Sequence, residues 1–449
     1  MHGFSDTPLA TIAFITMGCA KNEVDSDHMA ARLQAAGDAI VDDPEAADVV
    51  IVNTCSFIQA ATEESIDAIL EVAGYESVAE GTSKLVVAGC MPARYGTELV
   101  SEFPEVSDFV ACSLESEIVS SVDGVLGIER LVGEGQVISL ESPERKRVFA
   151  YVKISDGCDR FCAYCTIPYI RGRYHSFTHD EVFGEVGRVV DEGAREVVLI
   201  AQDTGRWGLD LPEPSSLAEL MADLAREWPD IWFRVMYIQP EGVTDELIRV
   251  FADNENICDY FDIPFQHVNE RLLKSMNRRG SASEFLALIK RIREAIPEAT
   301  LRTTLIAGYP GETDEDFEEL CDFVEEADID YVGVFAYSRE EGTRAYNLEN
   351  QIDEDEKASR AQTLRDIADS ACMPRIAERV GKTMQVLVCG VEEDGQLYGR
   401  AVCQAPEVDG VTYLPYGEPG EILTVTIDDT LLYEMEGTVV SCQNAQTSR

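Results

Sequence analysis

Cys158-Asp159-Arg160-Phe161-Cys162-Ala163-Tyr164-Cys165 stands just past an apolar run, Ala150–Ser155, of strand length. The pattern is C-x3-C-x2-C. Soft thiolates in this number select iron–sulfur or zinc chemistry. Three of them can wrap one corner of a cuboidal 4Fe-4S cluster and leave the fourth iron without a protein ligand. An open iron can bind a small molecule. Structural zinc would want a fourth Cys or His close by, and His175 lies ten residues on. Zinc or three core cysteines remain the alternatives, although packing alone poorly explains three so close together.

Outward from this motif the chain alternates strands and helices. Downstream, Glu196–Ile200, Ile231–Ile238, Tyr260–Phe265, Thr300–Ile306 and Tyr331–Phe335 read as strands. With Ala150–Ser155 they make six, and the helices between them predict a partial (β/α) barrel with ligands at the carboxyl ends of its strands. Upstream, Thr11–Met17, Val49–Val52 and Leu85–Ala88 are strands, while Ser26–Ala36 and Thr62–Val72 carry helical periodicity. That rhythm predicts a doubly wound parallel α/β domain. The acidic, glycine-containing stretch Gly124–Pro143 reads as a linker. Asp353–Val380 reads as helix and linker. Beyond it, Gln385–Val388, Ile422–Ile427 and Gly437–Val440 are strand-like runs split by Gly, Pro and Asp, which fits a small all-β barrel. No internal repeat or low-complexity tract is present.

Cys19, Cys55 and Cys90 each follow a predicted strand of the first domain. In a parallel sheet the carboxyl ends of neighbouring strands converge, so three thiolates far apart in sequence can meet on one cluster. Buried cysteines are also common in sheets. The seven others (Cys112, Cys258, Cys321, Cys372, Cys389, Cys403 and Cys442) show no metal spacing and read as packing residues.

The chain has 449 residues, enough for several domains, with the apolar content of a globular protein. Met1–Gly18 has no basic start followed by a long apolar run, and the longest apolar stretches are far short of a membrane span. A soluble, cytoplasmic protein is expected, whose 13 cysteines are ligands or core residues, not a disulfide frame. The net charge of −48 opposes diffuse binding to nucleic acid and favours basic partners, unless it reflects a generally acidic proteome.

With Met17-Gly18-Cys19-Ala20-Lys21-Asn22, Asp25-Ser26, Asn53-Thr54-Cys55 and Ala88-Gly89-Cys90, the N-terminal third resembles that of the methylthiotransferases. Ser155-Asp156-Gly157-Cys158 through Cys165, then Ile167-Pro168 and Arg171-Gly172, resemble their radical S-adenosylmethionine core. The resemblance covers nearly the whole chain. It implies an N-terminal methylthiotransferase domain at 10–123, a radical core at 144–374 and a C-terminal TRAM (OB-like) barrel at 377–445. It implies two 4Fe-4S clusters: one on Cys158, Cys162 and Cys165, whose open iron chelates S-adenosylmethionine beside Tyr164, and an auxiliary one on Cys19, Cys55 and Cys90. The first generates a 5′-deoxyadenosyl radical, and the second supplies or carries sulfur. An electron donor of flavodoxin or ferredoxin type is implied as well. Gln202 and Asp203 stand where the superfamily often contacts the methionine amine, although this chain lacks a Gly-Gly-Glu there. The turn holding Gly308 and Gly311 permits close backbone approach to a cofactor and equally suits an ordinary βα connection. Arg234 and Gln266-His267 are further strand-end polar groups, and His267 is either a contact or a structural histidine.

The family has RNA-modifying and protein-modifying branches. From Gly381 onward only Lys382, Arg400 and Arg449 are basic, against eleven Asp and Glu. Such a barrel is a poor phosphate clamp and suits a basic protein, so no direct nucleic-acid grip is expected. Tyr398-Gly399-Arg400-Ala401, Ala405-Pro406-Glu407-Val408-Asp409-Gly410 and Phe335–Thr343 resemble the RimO-type branch. That branch methylthiolates the β-carbon of an aspartate in small-subunit ribosomal protein S-twelve, a basic protein. A MiaB-like tRNA adenosine methylthiotransferase and a non-catalytic iron–sulfur scaffold are the rivals.

Overall fold

The structure, a computed structural model, describes residues 8–128 and 147–440. Most of the expected linker, and Cys442, fall outside them. The described chain divides into two compact units. The first holds residues 8–128, 156–175 and 340–346; the second holds 147–155, 176–339 and 347–440.

The first unit is built on five parallel strands: β1 (Thr11–Thr16), β2 (Ala39–Ile40), β3 (Val49–Thr54), β4 (Lys84–Gly89) and β5 (Asp108–Ala111). Their order is β2-β1-β3-β4-β5. The chain winds outward in both directions from β1 and β3, and ligands of such sheets bind past the carboxyl ends at that switch point. The strands read as continuous apolar runs because both faces are covered. Ile12, Val49, Ile51 and Val86 face Met29 and Leu33 of helix Ala20–Ala35 and Ile118 and Val122 of helix Ile118–Leu126. Their neighbours Val50, Val52, Leu85 and Val87 face Ile69 and Val72 of helix Gln59–Ala73. Each side chain so buried contributes about 1.5–3 kcal/mol.

Two elements differ from the sequence expectation. The first helix begins at Ala20 instead of Ser26, because Asn22, Asp25 and Ser26 are buried on its first turns and mask the apolar period. Strand β5 is additional; four residues opening on Asp carry too little alternation to declare a strand.

In the second unit, β6 (Phe149–Lys153) is followed by two-residue strands β7 (Ser155–Asp156) and β8 (His175–Ser176) at the margin of the unit. Then come β9 (Glu196–Ile200), β10 (Trp232–Val235), β11 (Tyr260–Asp262), β12 (Thr300–Ala307) and β13 (Tyr331–Ala336). β6, β9 and β10 form one parallel sheet, and β11, β12 and β13 form another. The parallel bridge Phe233–Ile257 and the bond from Ile238 N to Asp262 O (3.0 Å) link them into the expected open barrel. Helix Glu354–Ala377 packs on β13.

The C-terminal strands β14 (Thr383–Val391), β15 (Leu397–Ala401), β16 (Thr412–Leu414), β17 (Ile422–Leu431) and β18 (Glu434–Val439) close into a small barrel around Val386, Val388, Leu414, Val425 and Ile427. A polar seam fixes it to the start of the larger barrel's strands. Buried Glu196 takes Arg234 at 2.7 Å and Arg400 at 2.5 Å. Tyr260 donates to Asp409 at 2.6 Å, and Tyr151 donates to Glu407 at 3.0 Å. Arg234 is therefore a buried mid-strand partner of Glu196 and not a strand-end group. Among the described residues, no helix is long and apolar enough to cross a membrane.

Candidate functional site

The register of the first sheet pairs Thr16 with Asn53, Thr54 with Gly89, and Gly89 with Ala111. The strand ends are therefore level, and Cys19, Cys55 and Cys90 leave from one edge. Two glycines bring the loops together. A Cβ on Gly18 (φ +96°) would lie 2.4 Å from Cys55 Cβ, and one on Gly89 (φ +97°) 2.3 Å from Asn53 Oδ1. Buried amides then fasten the ends. Asn22 Nδ2 donates to Met17 O and Thr54 O, both at 2.9 Å. Asn53 Nδ2 donates to Asn22 O and Ser26 Oγ, both at 2.8 Å. Ser65 Oγ accepts from Cys55 N and donates to Cys55 O.

The three sulfurs sense one another. Burial pushes the Cys55 thiol up to about 11, and Cys19 and Cys90 add to the rise. Cys90 moves the other way, to about 7, chiefly through its hydrogen bond with Cys112 and also through Arg171. Cys112 ends β5 as the other cysteines end their strands, and it lies in a buried cluster with Cys90 and Ile170. The sequence reading took it for packing alone because it missed β5. Among the described residues, no three Cys, His, Asp or Glu side chains converge on a single metal-ion position. A cuboidal cluster binds its thiolates at separate irons and needs no such convergence.

The C-x3-C-x2-C loop belongs to this same unit. Cys158 N donates to Gly172 O at 3.1 Å, and Cys165 N donates to Cys162 O at 3.1 Å. Gly157 (φ +71°) is held so tightly that a Cβ would sit 2.1 Å from Arg173 O, and Phe161 is left-handed at φ 47°. Tyr164 is half-buried in the loop. Arg171 joins the two cysteine groups: it meets Asp156 at 3.1 Å on one side, and Asp25 (2.8 Å) and Asn22 (2.9 Å) on the other. The segment from Glu340 braces both as well. Glu340 accepts from Gln59 N and from Arg94, each at 2.8 Å, while Ala345 N donates to Ala163 O at 2.7 Å. Sequence reading had quoted Arg171 and Glu340 only as motif residues.

In the second unit, Ser155, Gln202 and Gln239 follow the adjacent strands β6, β9 and β10. Both amide atoms of Gln202, Ser155 Oγ and Gln239 Oε1 are buried without a hydrogen-bond partner. Each such group costs about 1–3 kcal/mol until a ligand meets it. This is how polar side chains awaiting a cofactor behave. The turn at Gly308 has its own structural account. Gly308 N donates to both Glu312 carboxylate oxygens at 3.0 Å, and a Cβ on Gly308 (φ +77°) would lie 2.4 Å from Lys357 Cγ. Gly311 (φ +83°) is open on that side, with Arg271 Nη1 at 3.8 Å. His267 is fully buried; its Nδ1 accepts from Val268 N and Asn269 N, and Nε2 faces Glu312 at 3.4 Å. Those contacts are those of a structural histidine.

Comparison with known proteins agrees with this arrangement. Residues 152–324 match the radical SAM superfamily, 11–111 the uncharacterized protein family UPF0004, and 380–440 the TRAM domain. Among solved structures, the radical S-adenosylmethionine methyltransferase TsrM from Kitasatospora setae superposes with a TM-score of 0.52 at 15% identity, over 73% of this chain and 74% of that one. The cobalamin-dependent S-adenosylmethionine radical enzyme OxsB gives 0.51 at 13%, over 81% and 56%. At such identities the likeness is one of fold. Curated relatives are much nearer. The ribosomal protein uS12 methylthiotransferase RimO of Clostridioides difficile is 40% identical over 439 residues, covering 96% of this chain and 98% of its own. The protein of the same name from Trichlorobacter lovleyi is 41% identical over 436 residues, covering 94% and 97%. With that identity sustained across all three matched regions and nearly the full length of both chains, this protein belongs to the RimO family of methylthiotransferases.

Proposed function

We propose that the protein is a radical S-adenosylmethionine methylthiotransferase that replaces a hydrogen on the β-carbon of an aspartate of ribosomal protein uS12 with a methylthio group. The observation that carries this reading is the gathering of two three-cysteine sets in one compact unit, in a chain whose full-length relatives bear that name. Cys158, Cys162 and Cys165 would hold one 4Fe-4S cluster, with Tyr164 beside it. Cys19, Cys55 and Cys90 would hold the auxiliary cluster at the β1/β3 switch point. Their donor set is all thiolate, which suits iron–sulfur clusters. Gln202, with its two orphaned amide atoms, would take polar groups of S-adenosylmethionine in the second unit. Ser155 and Gln239 join it there, and Gly308 and Gly311 remain assigned as cofactor neighbours.

When bound, these groups supply a carbon radical able to take hydrogen from an unactivated C–H bond, together with the sulfur and methyl that replace it. The protein's own residues position and shield. Asn22 and Asn53 hold the strand ends level. Arg171 and Glu340 brace the two cysteine groups. The three domains are assigned to 10–123, 144–374 and 377–445. An enzyme acting on a ribosomal protein works in the cytoplasm, and an electron donor of flavodoxin or ferredoxin type would supply the reducing equivalents.

The C-terminal barrel supports a basic protein substrate. Of its basic residues, Arg400 is buried against Glu196, while Glu392, Glu393 and Asp394 line an open depression with Val391 and Tyr398. A phosphate grip has no cation there. The test is mass spectrometry after anaerobic reaction of the reconstituted enzyme with S-adenosylmethionine, a reductant and sulfide, given uS12 or unmodified tRNA. A methylthio mass increase on an aspartyl peptide is expected. An increase confined to tRNA adenosine would overturn the substrate, and 5′-deoxyadenosine absent from both would overturn the radical chemistry.

A further inference from the structure

Arg171 is 2% exposed, deeper than any role in solvent requires. A buried guanidinium is held only by partners that repay its desolvation. Here they are Asp25 (2.8 Å), Asp156 (3.1 Å) and Asn22 Oδ1 (2.9 Å). Two carboxylates for one cation would already be a surplus of acceptors, yet Nη2 also reaches Cys90 Sγ at 3.8 Å. That nitrogen has two hydrogens and three acceptors, so one hydrogen is shared. With its proton on, Cys90 turns its own S–H to Asn22 Oδ1 at 3.7 Å. Once the sulfur binds iron, that proton is gone and the sulfur can only accept.

Two donors then flank it, and neither comes from β4. One is Arg171 Nη2. The other is Cys112, which is hydrogen-bonded to Cys90 and also lies 3.6 Å from Ile170 O. Hydrogen bonds to cluster sulfurs and nearby positive charge stabilise the reduced, more negative cluster and raise its potential.

We propose that Arg171 is a positioning residue of the auxiliary centre: held by Asp25 and Asp156, it donates to the Cys90 sulfur and, with Cys112, sets the reduction potential of the cluster bound there. The inference rests on the reading that Cys19, Cys55 and Cys90 carry a cluster. It gives the Asp25 and Arg171 motif positions a joint purpose, since each is needed to orient the other beside one particular sulfur.

The test uses the full chain with Cys158→Ala, Cys162→Ala and Cys165→Ala, so that only the auxiliary site can load, reconstituted anaerobically with iron and sulfide. Iron content, the electron paramagnetic resonance spectrum of the reduced cluster and its midpoint potential are measured. The same is done after adding Arg171→Gln, Arg171→Lys or Cys112→Ala. The triple variant is expected to bind iron. Arg171→Gln should shift the potential to more negative values and move the g-values. Arg171→Lys should shift it less, because charge is kept and the forked donor is lost. Cys112→Ala leaves the ion network intact and should shift the potential the same way. Unchanged potential and g-values in a folded Arg171→Gln protein would overturn the proposal. If that variant does not fold, unchanged values in both Arg171→Lys and Cys112→Ala would overturn it instead. A triple variant that binds no iron would sink the auxiliary-cluster reading itself, and the inference with it.

Discussion

Asp409 illustrates how one buried group shapes the behaviour of the second unit. Burial pushes its carboxyl up to about 6, against the pull of Arg302 at 3.6 Å and the hydrogen bonds from Tyr260 and Ala405 N. The folded protein thus holds this proton more tightly than the unfolded chain does. Between about pH 4 and 6 folding takes up a proton, so the group's contribution to stability falls as pH rises through that window. Above pH 6 the ionised carboxylate is a constant cost of roughly 3 kcal/mol. Asp409→Asn keeps an acceptor for Tyr260 and carries no charge. Its urea midpoint, relative to the parent, is expected to be higher at pH 7.5 than at pH 5, by an amount worth about 1 kcal/mol. An equal difference at both pH values would show that Arg302 fully compensates the buried charge. At this scale the sequence was a good guide to chemistry and a poor one to burial. The thiolate spacing at Cys158–Cys165 declares its chemistry locally. The opposite fates of Arg234, locked to Glu196, and Gln202, left without partners, depend on residues far away in the chain.

Strand ends carry the auxiliary site, and their legibility followed from periodicity. β1, β3 and β4 are long apolar runs closed by polar residues and a cysteine, so three of the four cysteine-bearing ends could be read. β5 is four residues long and went unread, and with it the place of Cys112 beside Cys90. In the small barrel, Leu397–Ala401 was also missed. Its Gly399 looks like a strand breaker, yet a Cβ there would lie 2.4 Å from Leu387 O, so the glycine is what lets two strands approach. The same logic makes Gly18 testable. Gly18→Ala meets both an unfavourable φ and Cys55, whereas Gly96→Ala, at φ +55° with nothing within 4 Å, meets the φ cost alone. Gly18→Ala is expected to lose about four irons per chain on reconstitution, the content of one cluster, with the Cys158 site still loaded. Gly96→Ala should retain its iron and lose about 1 kcal/mol of stability. Equal iron in the two variants would mean that the Cys19 loop tolerates displacement and that close approach to Cys55 is not required.

On the scale of the whole molecule, a net charge of −48 has two possible origins, and the barrel can separate them. A proteome-wide acidity spreads its carboxylates without regard to any partner, and reversing a few of them should leave substrate recognition alone. A docking face concentrates the effect. Glu392, Glu393 and Asp394 form an exposed turn between β14 and β15, and they touch neither the Glu196 seam nor the cysteine unit. Their triple replacement by Lys therefore tests charge with little risk to the fold. A basic protein is steered onto an acidic face by long-range attraction, which salt screens over about 8–10 Å. If the turn docks uS12, the variant should raise KM for uS12 several-fold and flatten its rise with ionic strength. The formation of 5′-deoxyadenosine in the absence of substrate should stay unchanged, because that reaction needs no docking. Unchanged KM and unchanged salt dependence would assign the acidity to the proteome and send the search for the docking face elsewhere on the chain. A gain of tRNA binding by the same variant would show that the barrel's missing cations alone had kept RNA away.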